Sequence, residues 1–256
     1  MTAQEAGEPV VLATIVRVRG SVPRHVGTKM LVYEDGRFSG TVGGGEIESQ
    51  VLTEAQAALA DGRPRLLPYT VAETEQGGKD DQGAEIEIFL EPYLPAATLL
   101  VIGCGHVRRA VAGLAHWLGY RVAVSDDREE LVTPENIPEA DVYLPGRIEE
   151  ALRHFHITRN TYIVLATRNV LVDQQIVPHL VHSPAPYIGL LGSERRWAET
   201  FRLLREDGLS DEQLARLHSP VGLELNAETP EEIAVSILAE IIMLRRGGTG
   251  ERMAAV

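Results

Sequence analysis

The chain has 256 residues and a formal net charge of −13, from 24 basic and 37 acidic side chains, which argues against a nucleic-acid partner because such binding needs a basic face. No apolar run reaches the ~20 residues that cross a bilayer, the acidic start lacks a signal-peptide pattern, and Cys104, the only cysteine, excludes an internal disulfide and a multi-cysteine zinc site. We therefore expect a cytoplasmic protein with no nucleic-acid partner, no membrane partner and no metal site.

The first 94 residues have the pattern of a small α+β domain. Stretches rich in β-branched and apolar residues predict strands, and Asp35-Gly36 is typical of a tight hairpin turn. A helix is predicted after the glycine run at 43–45, because its apolar residues recur at helical spacing. The polar segment Glu73–Gly83 predicts a mobile loop. The predicted strands are Val10–Val18, Met30–Glu34, Arg37–Thr41, Arg65–Thr70 and Glu85–Glu91, and the predicted helix is Glu46–Ala60.

After a proline-rich boundary at Pro92–Pro95, short apolar runs alternate with helical segments. Such runs are typical of strands covered on both faces, and the alternation predicts a parallel sheet with right-handed crossovers. We expect an α/β protein in which a C-terminal Rossmann-type parallel sheet at 95–248 follows a smaller N-terminal α+β domain at 1–94. The predicted strands are Thr98–Ile102, Arg121–Ser125, Asp141–Leu144, Tyr162–Ala166 and Tyr187–Leu191, and the predicted helices are Arg108–Leu118, Glu149–Phe155, Gln174–His182 and Arg195–Glu206.

The last predicted helix has the clearest ends. Thr229 and Glu232 have the spacing of a capping box, and Pro230 suits the first helical position. Gly247-Gly248 ends the helix, and residues 249–256 are predicted to be a disordered tail.

A glycine-rich turn follows the predicted strand Thr98–Ile102 and leads into a helix. In dinucleotide-binding proteins such a turn lets backbone N–H groups face a phosphate, and an acid about 20 residues further on binds the ribose. Here the turn is Gly103-Cys104-Gly105-His106, and Asp126 stands at the end of the next strand. Arg108 replaces the third glycine of the fingerprint and can place a positive charge near the ligand. The alternative interpretation is a structural Rossmann core with an empty crevice.

Two further strand ends are expected at the same crevice, because ligands of open α/β sheets bind outside the carboxyl ends of the strands. Thr167-Arg168 follows the fourth predicted strand, and Gly192-Ser193 follows the fifth. Asp173 either orients Arg168 or is a solvated surface acid. Cys104 is either a small buried hydrophobe or a thiol whose pKa is depressed by the helix N-terminus.

The N-terminal domain has a second candidate site. From Pro9 to Tyr33 there is no acidic residue, although Arg17, Arg19, Arg24, His25 and Lys29 lie there. Arginine donors such as Arg24 and the backbone amides of the Gly43-Gly44-Gly45 turn can form an anion pocket, and Glu48 can bind a donor-rich heterocycle such as a pterin. The alternative interpretation is a strand edge with charged side chains.

Several motifs occur in a fixed order along the chain. They are Gly20–Met30 and Gly40–Glu48 in the N-terminal part, and Val101–Val107, Ser125–Arg128, Ala166–Arg168, Tyr187–Ser193, Pro220–Gly222 and Thr229–Glu240 in the C-terminal part. Over nearly the whole chain these motifs resemble the xanthine dehydrogenase accessory factor family (XdhC/CoxI). Many relatives have a cysteine where this chain has Gly45, and Cys-Gly-Gly where it has Gln82-Gly83-Ala84.

The resemblance implies a maturation factor for molybdenum hydroxylases. Such proteins bind molybdenum cofactor (a phosphorylated molybdopterin dithiolene), protect it while a cysteine desulfurase supplies the sulfido ligand, and insert it into a xanthine dehydrogenase-like apo-enzyme. The resemblance therefore implies a cofactor-binding chaperone rather than a turnover enzyme, and a homodimer is expected because it is the commonest assembly. The alternatives are an NAD(P)-dependent oxidoreductase that uses the 103–105 turn and Asp126, and a nucleotide-sensing regulatory module.

Overall fold

The computed structural model describes residues 8–20, 22, 24–71, 84–103 and 105–253. The chain divides into two compact units, Met1–Pro95 and Ala96–Val256. The N-terminal unit contains an antiparallel sheet and a helix, and the C-terminal unit contains a parallel sheet with helices.

The described part of the N-terminal unit is a five-stranded antiparallel sheet in the order β3-β2-β1-β5-β4, with one helix against it. Its elements are β1 (Val10–Arg19), β2 (Lys29–Tyr33), β3 (Phe38–Gly40), α1 (Glu46–Asp61), β4 (Arg65–Val71) and β5 (Ala84–Tyr93). β1 pairs with both β2 and β5. Its pairing with β2 ends at Thr14 and Lys29, so Arg17 and Arg19 are paired with β5 alone, and the interpretation as a strand edge with charged side chains still applies to them.

Helix α1 forms because its apolar residues fall on one face. Ile47, Val51, Ala55 and Ala58 are buried, and the helix packs against β1 and β5. It ends at Gly62, whose left-handed φ of 68° suits a glycine at a helix C-terminus.

The C-terminal unit is a six-stranded parallel sheet in the order β11-β10-β9-β6-β7-β8, which is the Rossmann strand order. Its elements are β6 (Thr98–Ile102), α2 (His106–Trp117), β7 (Arg121–Asp126), a 3₁₀ turn (Glu129–Leu131), β8 (Val142–Pro145), α3 (Ile148–His154), β9 (Thr161–Leu165), α4 (Val170–Leu180), β10 (Tyr187–Leu190), α5 (Glu194–Glu206), α6 (Asp211–Leu214), β11 (Leu217–His218) and α7 (Pro230–Arg246). This architecture confirms the predicted fold class.

Helices cover both faces of the parallel sheet, so its central strands are apolar on both sides. Every residue of β9 is buried. One face packs against α2 and α7, which contribute Val111 and Ile237 to the core. The other face packs against α3, α4 and α5, which contribute Ile148, Val177 and Leu204.

The structure differs from the predicted elements mainly where elements are short or begin at a cap. Helix α4 begins at Val170 rather than Gln174, because the side chain of Asn169 accepts a hydrogen bond from the Val172 amide and caps the helix. The 3₁₀ turn, α6 and β11 were not predicted, since two to four residues are too few to show a period.

Two predictions on segments of irregular structure stay untested. The whole of the predicted loop Glu73–Gly83 and the end of the predicted tail lie outside the described residues. Over the part of the chain that the structure describes, none of the helices combines the length and the hydropathy that a bilayer span requires.

Candidate functional site

A cavity of about 170 Å³ lies at the carboxyl ends of β6, β7 and β9. From β6 the chain adds strands first on one side (β7 and β8) and then on the other (β9, β10 and β11), so the strand order reverses at β6. Ligands of open α/β sheets bind at such a switch point. Pockets for whole small molecules measure ~300–1,000 Å³, so this cavity has room for one group of a ligand. The lining residues are Ile102, Gly103, Ser125, Asp126, Asp127, Arg147, Ile148, Glu149, Thr167, Arg168, Val172, Gln175 and Ile176.

Gly103 allows the ends of β6 and β9 to approach each other. Its φ is +113°, and a Cβ atom there would lie 2.3 Å from the carbonyl oxygen of Ala166. Its amide donates to the carbonyl oxygen of Ser125 at 2.9 Å. No other residue fits this backbone without moving β9, so Gly103 fixes the floor of the cavity.

Gly105 is the N-cap of α2, and its φ is +132°. Among the described residues no side chain caps this helix, and a Cβ atom on Gly105 would meet no atom within 4 Å beyond those of its chain neighbours. Uncapped amides at a helix N-terminus are favourable partners for an anion. His106, the first residue of α2, is exposed, and Cys104 lies outside the described residues, so its predicted reactivity stays a prediction.

Asp126, the predicted ribose ligand, is buried and already has cationic partners. Its Oδ1 accepts hydrogen bonds from the amide and the Nε of Arg128 at 3.0 and 3.2 Å, and its Oδ2 lies 4.0 Å from Arg108 Nη1. Burial raises the pKa of the Asp126 carboxyl and lowers the pKa of Arg108. Arg108 is only 5% exposed and also donates to the Leu131 carbonyl, so it supports Asp126 from behind the cavity wall.

Asp127 and Arg168 form an accessible ion pair that lines the cavity. Both nitrogens of the Arg168 fork donate to the Asp127 carboxylate, at 2.6 and 2.7 Å, and the two side chains are 42% and 40% exposed. The Arg168 guanidinium lowers the pKa of Asp127. Arg168 is therefore oriented by Asp127, and the interpretation that Asp173 orients it is wrong.

Asp173 instead belongs to a buried network that fixes the end of β9. Arg196 on α5 donates to Asp173 Oδ2 from Nε and Nη2, at 3.1 and 2.7 Å, and from Nη1 to the Thr167 carbonyl at 2.9 Å. The hydroxyl of Thr167 donates to Asp173 Oδ1. Asp173 is fully buried, and this burial raises its pKa although three groups donate to it. The alternative of a solvated surface acid is also wrong.

Arg196 was missed by sequence reasoning, because its role depends on which face of α5 packs against β9. Ser193 caps α5 by accepting a hydrogen bond from the Arg196 amide at 3.4 Å. A Cβ atom on Gly192 would lie 3.0 Å from the Arg196 side chain. Gly192 and Ser193 thus support Arg196 and are not among the residues that line the cavity.

In the N-terminal unit, the predicted residues form a compact turn around the start of α1. Gly45 is the N-cap of α1 with a φ of 60°, and no side chain caps it. The hydroxyl of Thr41 donates to Glu48 Oε1 and accepts from the Gly43 amide at 3.3 Å. Gly44, between Gly43 and Gly45, adopts a φ of 99°. At the start of the helix, the Glu48 carboxylate therefore has one of its two oxygens bonded to Thr41.

The basic stretch of this unit is less positive than its sequence indicates. Arg17 pairs with Glu87 at 3.0 Å, and Arg19 pairs with Glu85 at 3.6 Å, because β5 lies next to β1. Arg24 is exposed, and among the described residues it makes no ion pair. The described contacts do not join Arg24 to the glycine turn, so the predicted N-terminal pocket stays a prediction.

Two family models match the chain. The model described as the XdhC Rossmann domain matches residues 99–241, and the model described as the XdhC and CoxI family matches residues 3–83. Together they account for most of both compact units.

Individual relatives match over nearly the whole chain. The protein YqeB of Escherichia coli K12 is 37% identical over 98% of this chain, which spans 46%, or about half, of that protein. The molybdenum cofactor insertion chaperone PaoD of the same organism is 25% identical over 94% of this chain and 85% of its own length. A crystal structure described as a xanthine dehydrogenase from Bacillus halodurans is similar with a TM-score of 0.53 and 26% identity, covering 97% of this chain and 94% of that one.

Proposed function

Because this chain belongs to the XdhC and CoxI family, we propose that it is a maturation factor that binds molybdenum cofactor and delivers it to a molybdenum hydroxylase of the xanthine dehydrogenase type. The relative PaoD is named as a molybdenum cofactor insertion chaperone, which supports this role. The proposal includes protection of the cofactor during sulfuration by a cysteine desulfurase. We also propose that the protein is a cytoplasmic homodimer.

The observation that supports the proposal most is the Arg168 fork at the rim of the Rossmann cavity. Molybdenum cofactor carries a phosphate group, and a planar guanidinium binds such a group with two parallel hydrogen bonds. Gly103 shapes the cavity floor, and Gly105 leaves the first amides of α2 without a side-chain cap. In the proposal these groups hold the phosphate end of the cargo.

In the N-terminal unit, taken by itself, Glu48 and the glycine turn at 43–45 form a second proposed site, for a ring with hydrogen-bond donors. A carboxylate accepts two such donors side by side, as on the amino-substituted edge of a pterin. Thr41 holds one oxygen of Glu48 in place, which orients the carboxylate. Among the described residues no group of three or more His, Cys, Asp and Glu side chains is arranged to hold a metal ion, so the proposal rests on phosphate and pterin contacts.

A nucleotide-dependent function is the second candidate, and the Rossmann strand order with its cavity at the switch point favours it. The ligand would be NAD(P) or another nucleotide, and the protein would be an oxidoreductase or a nucleotide-sensing module. The contacts of Asp126 count against this candidate, because Arg128 and Arg108 already surround the carboxylate that would bind the ribose.

Reconstitution of an apo molybdenum hydroxylase tests the proposed function. The chain is incubated with molybdenum cofactor, freed of excess cofactor by gel filtration, and added to apo-xanthine dehydrogenase with a cysteine desulfurase and cysteine. We expect hydroxylase activity to appear with the loaded chain and to depend on the desulfurase. Hydroxylase activity that is the same with and without the chain would contradict the proposal. Oxidation of NAD(P)H by the chain alone would favour the second candidate.

A further inference from the structure

The Asp127–Arg168 ion pair spans the switch point of the sheet. Asp127 follows β7 and Arg168 follows β9, and β6 lies between these two strands. Neighbouring strands are ~4.8 Å apart, so the two backbones are about 10 Å apart and the side chains meet above the end of β6. Both residues line the cavity together with Gly103. The pair therefore covers the place where a ligand group would enter.

Arg168 and Asp127 can each leave the other for a new partner at a small cost in stability. Both side chains are about two-fifths exposed, and exposed pairs contribute little to stability. The Asp173–Arg196 pair differs, since Asp173 is fully buried and removal of its partner would leave an unpaired buried charge. Asp126 is also fixed, because Arg128 fills one oxygen and Arg108 faces the other.

We propose that Arg168 and Asp127 separate when a ligand binds, and that each then recognises a different group of that ligand. The Arg168 fork moves from the Asp127 carboxylate to a phosphate, which offers the same pair of acceptor oxygens. The freed Asp127 carboxylate accepts hydrogen bonds from hydroxyl or ring N–H donors next to that phosphate. Asp127 thus takes the place that the Rossmann pattern assigns to Asp126.

The ligand class is therefore a phosphate ester that carries hydrogen-bond donors close to the phosphate. Phosphorylated pterins and nucleotides share this chemistry. The inference rests on the proposed function only in that the cargo's phosphate end is taken to bind in this cavity.

Binding of two probes to the purified chain, without molybdenum cofactor, tests the inference. Inorganic pyrophosphate offers phosphate alone, and ADP offers phosphate with a ribose diol. Calorimetric titrations compare the wild-type chain with Asp127→Ala, Arg168→Ala and the control Glu150→Ala. Glu150 lies on α3 next to the cavity, is exposed, and makes no ion pair among the described residues. The control therefore removes one negative charge near the cavity without freeing an arginine that lines it.

We expect Asp127→Ala to bind pyrophosphate about fivefold more tightly, because the carboxylate no longer competes for Arg168. ADP should gain less than pyrophosphate, since the acceptor for its hydroxyls is lost. Arg168→Ala should weaken both probes at least tenfold, and Glu150→Ala should change either affinity less than twofold.

Three outcomes would overturn the inference: equal effects of Asp127→Ala and Glu150→Ala, equal gains for both probes in Asp127→Ala, or no binding of pyrophosphate at 10 mM by wild type and Asp127→Ala. Because the mutated side chains are exposed, all variants should unfold within a few degrees of wild type, which circular dichroism checks. If reconstitution of the hydroxylase fails while these affinities hold, the proposed function fails alone. If cofactor delivery succeeds while Asp127→Ala behaves like Glu150→Ala, only the inference fails.

Discussion

At the residue scale, the Thr167–Asp173–Arg196 network holds the backbone just before Arg168, whereas Asp127 orients the Arg168 side chain. Arg196 binds the carbonyl of Thr167, the residue before Arg168, and Asp173 holds Arg196 through two hydrogen bonds. The backbone that presents Arg168 to the cavity is thus tied to α5. A buried carboxylate with one cationic partner is costly to leave unpaired, so the network is stable only when complete.

Replacement of Arg196 by alanine should lower the free energy of unfolding by about 3 kcal/mol, because it leaves the buried Asp173 without its cation. Arg202→Ala on the same helix is the matched control. Arg202 pairs with Glu206, and both side chains are 58% exposed, so its loss should cost less than ~0.5 kcal/mol. Urea unfolding curves measure both values. Equal losses for the two variants would show that the Asp173 network does not stabilise the unit.

The residues of the site could be predicted only as far as strand ends allow. Thr167, Arg168, Asp126 and Gly103 were predicted at the cavity, because the carboxyl ends of parallel strands share one edge. The pairing among charged groups could not be predicted, since it depends on side-chain direction. Asp126 is buried and Asp127 is exposed because a single step along the chain at the end of β7 reverses the side-chain direction.

At the element scale, Glu240 ties helix α7 to the edge of the parallel sheet. Its Oε2 accepts hydrogen bonds from the Tyr187 hydroxyl on β10 at 2.6 Å and from the Gly222 amide at 2.7 Å. His218 Nδ1 on β11 lies 3.1 Å from Oε1. Burial pushes the pKa of Glu240 up, but the hydrogen bonds from His218, Tyr187 and Gly222 outweigh it and hold the pKa below its usual value of 4.5.

This lowered pKa predicts an acid-sensitive contribution to stability. A carboxyl whose pKa is lower in the folded state stabilises the fold above its unfolded pKa, and the contribution is lost as the pH falls through the folded value. Glu240→Gln should therefore be less stable than wild type by about 2 kcal/mol at pH 7, and this gap should narrow below pH 4.5.

Urea unfolding at pH 7 and pH 3.5 measures the gap for Glu240→Gln. Glu199→Gln is the control, because Glu199 on α5 is exposed and makes no ion pair among the described residues. It should differ from wild type by less than ~0.5 kcal/mol at both pH values. A gap for Glu240→Gln that stays constant with pH would contradict the account.

Long elements with a clear period were predicted well, and short or capped ones were not. The strands β6 and β10 and the capping box of α7 follow from apolar runs and from Thr229 and Glu232. The early start of α4 depends on Asn169, whose capping role is visible only once the strand end before it is placed. Strand order likewise depends on contacts that a single sequence does not show.

At the scale of the whole molecule, a chain of net charge −13 is proposed to hold a phosphorylated cargo. Long-range repulsion is screened beyond ~8–10 Å at physiological salt, so the local groups decide binding. At the cavity, two acids that would repel a phosphate are paired with arginines: Asp126 with Arg128, and Asp127 with Arg168. In the N-terminal unit the same pairing works against an anion, because acids on β5 neutralise Arg17 and Arg19.

Retention of molybdopterin by the purified chain is the most direct test of the central claim that the cavity beside Arg168 holds the phosphate end of a phosphorylated pterin. The chain is produced in a host supplied with molybdate, passed through gel filtration, and assayed for pterin by mass spectrometry and by fluorescence after oxidation. We predict pterin at a constant ratio to protein in wild type and Arg202→Ala, and at least a tenfold lower ratio in Arg168→Ala. No pterin in wild type, or the same ratio in Arg168→Ala, would contradict the account.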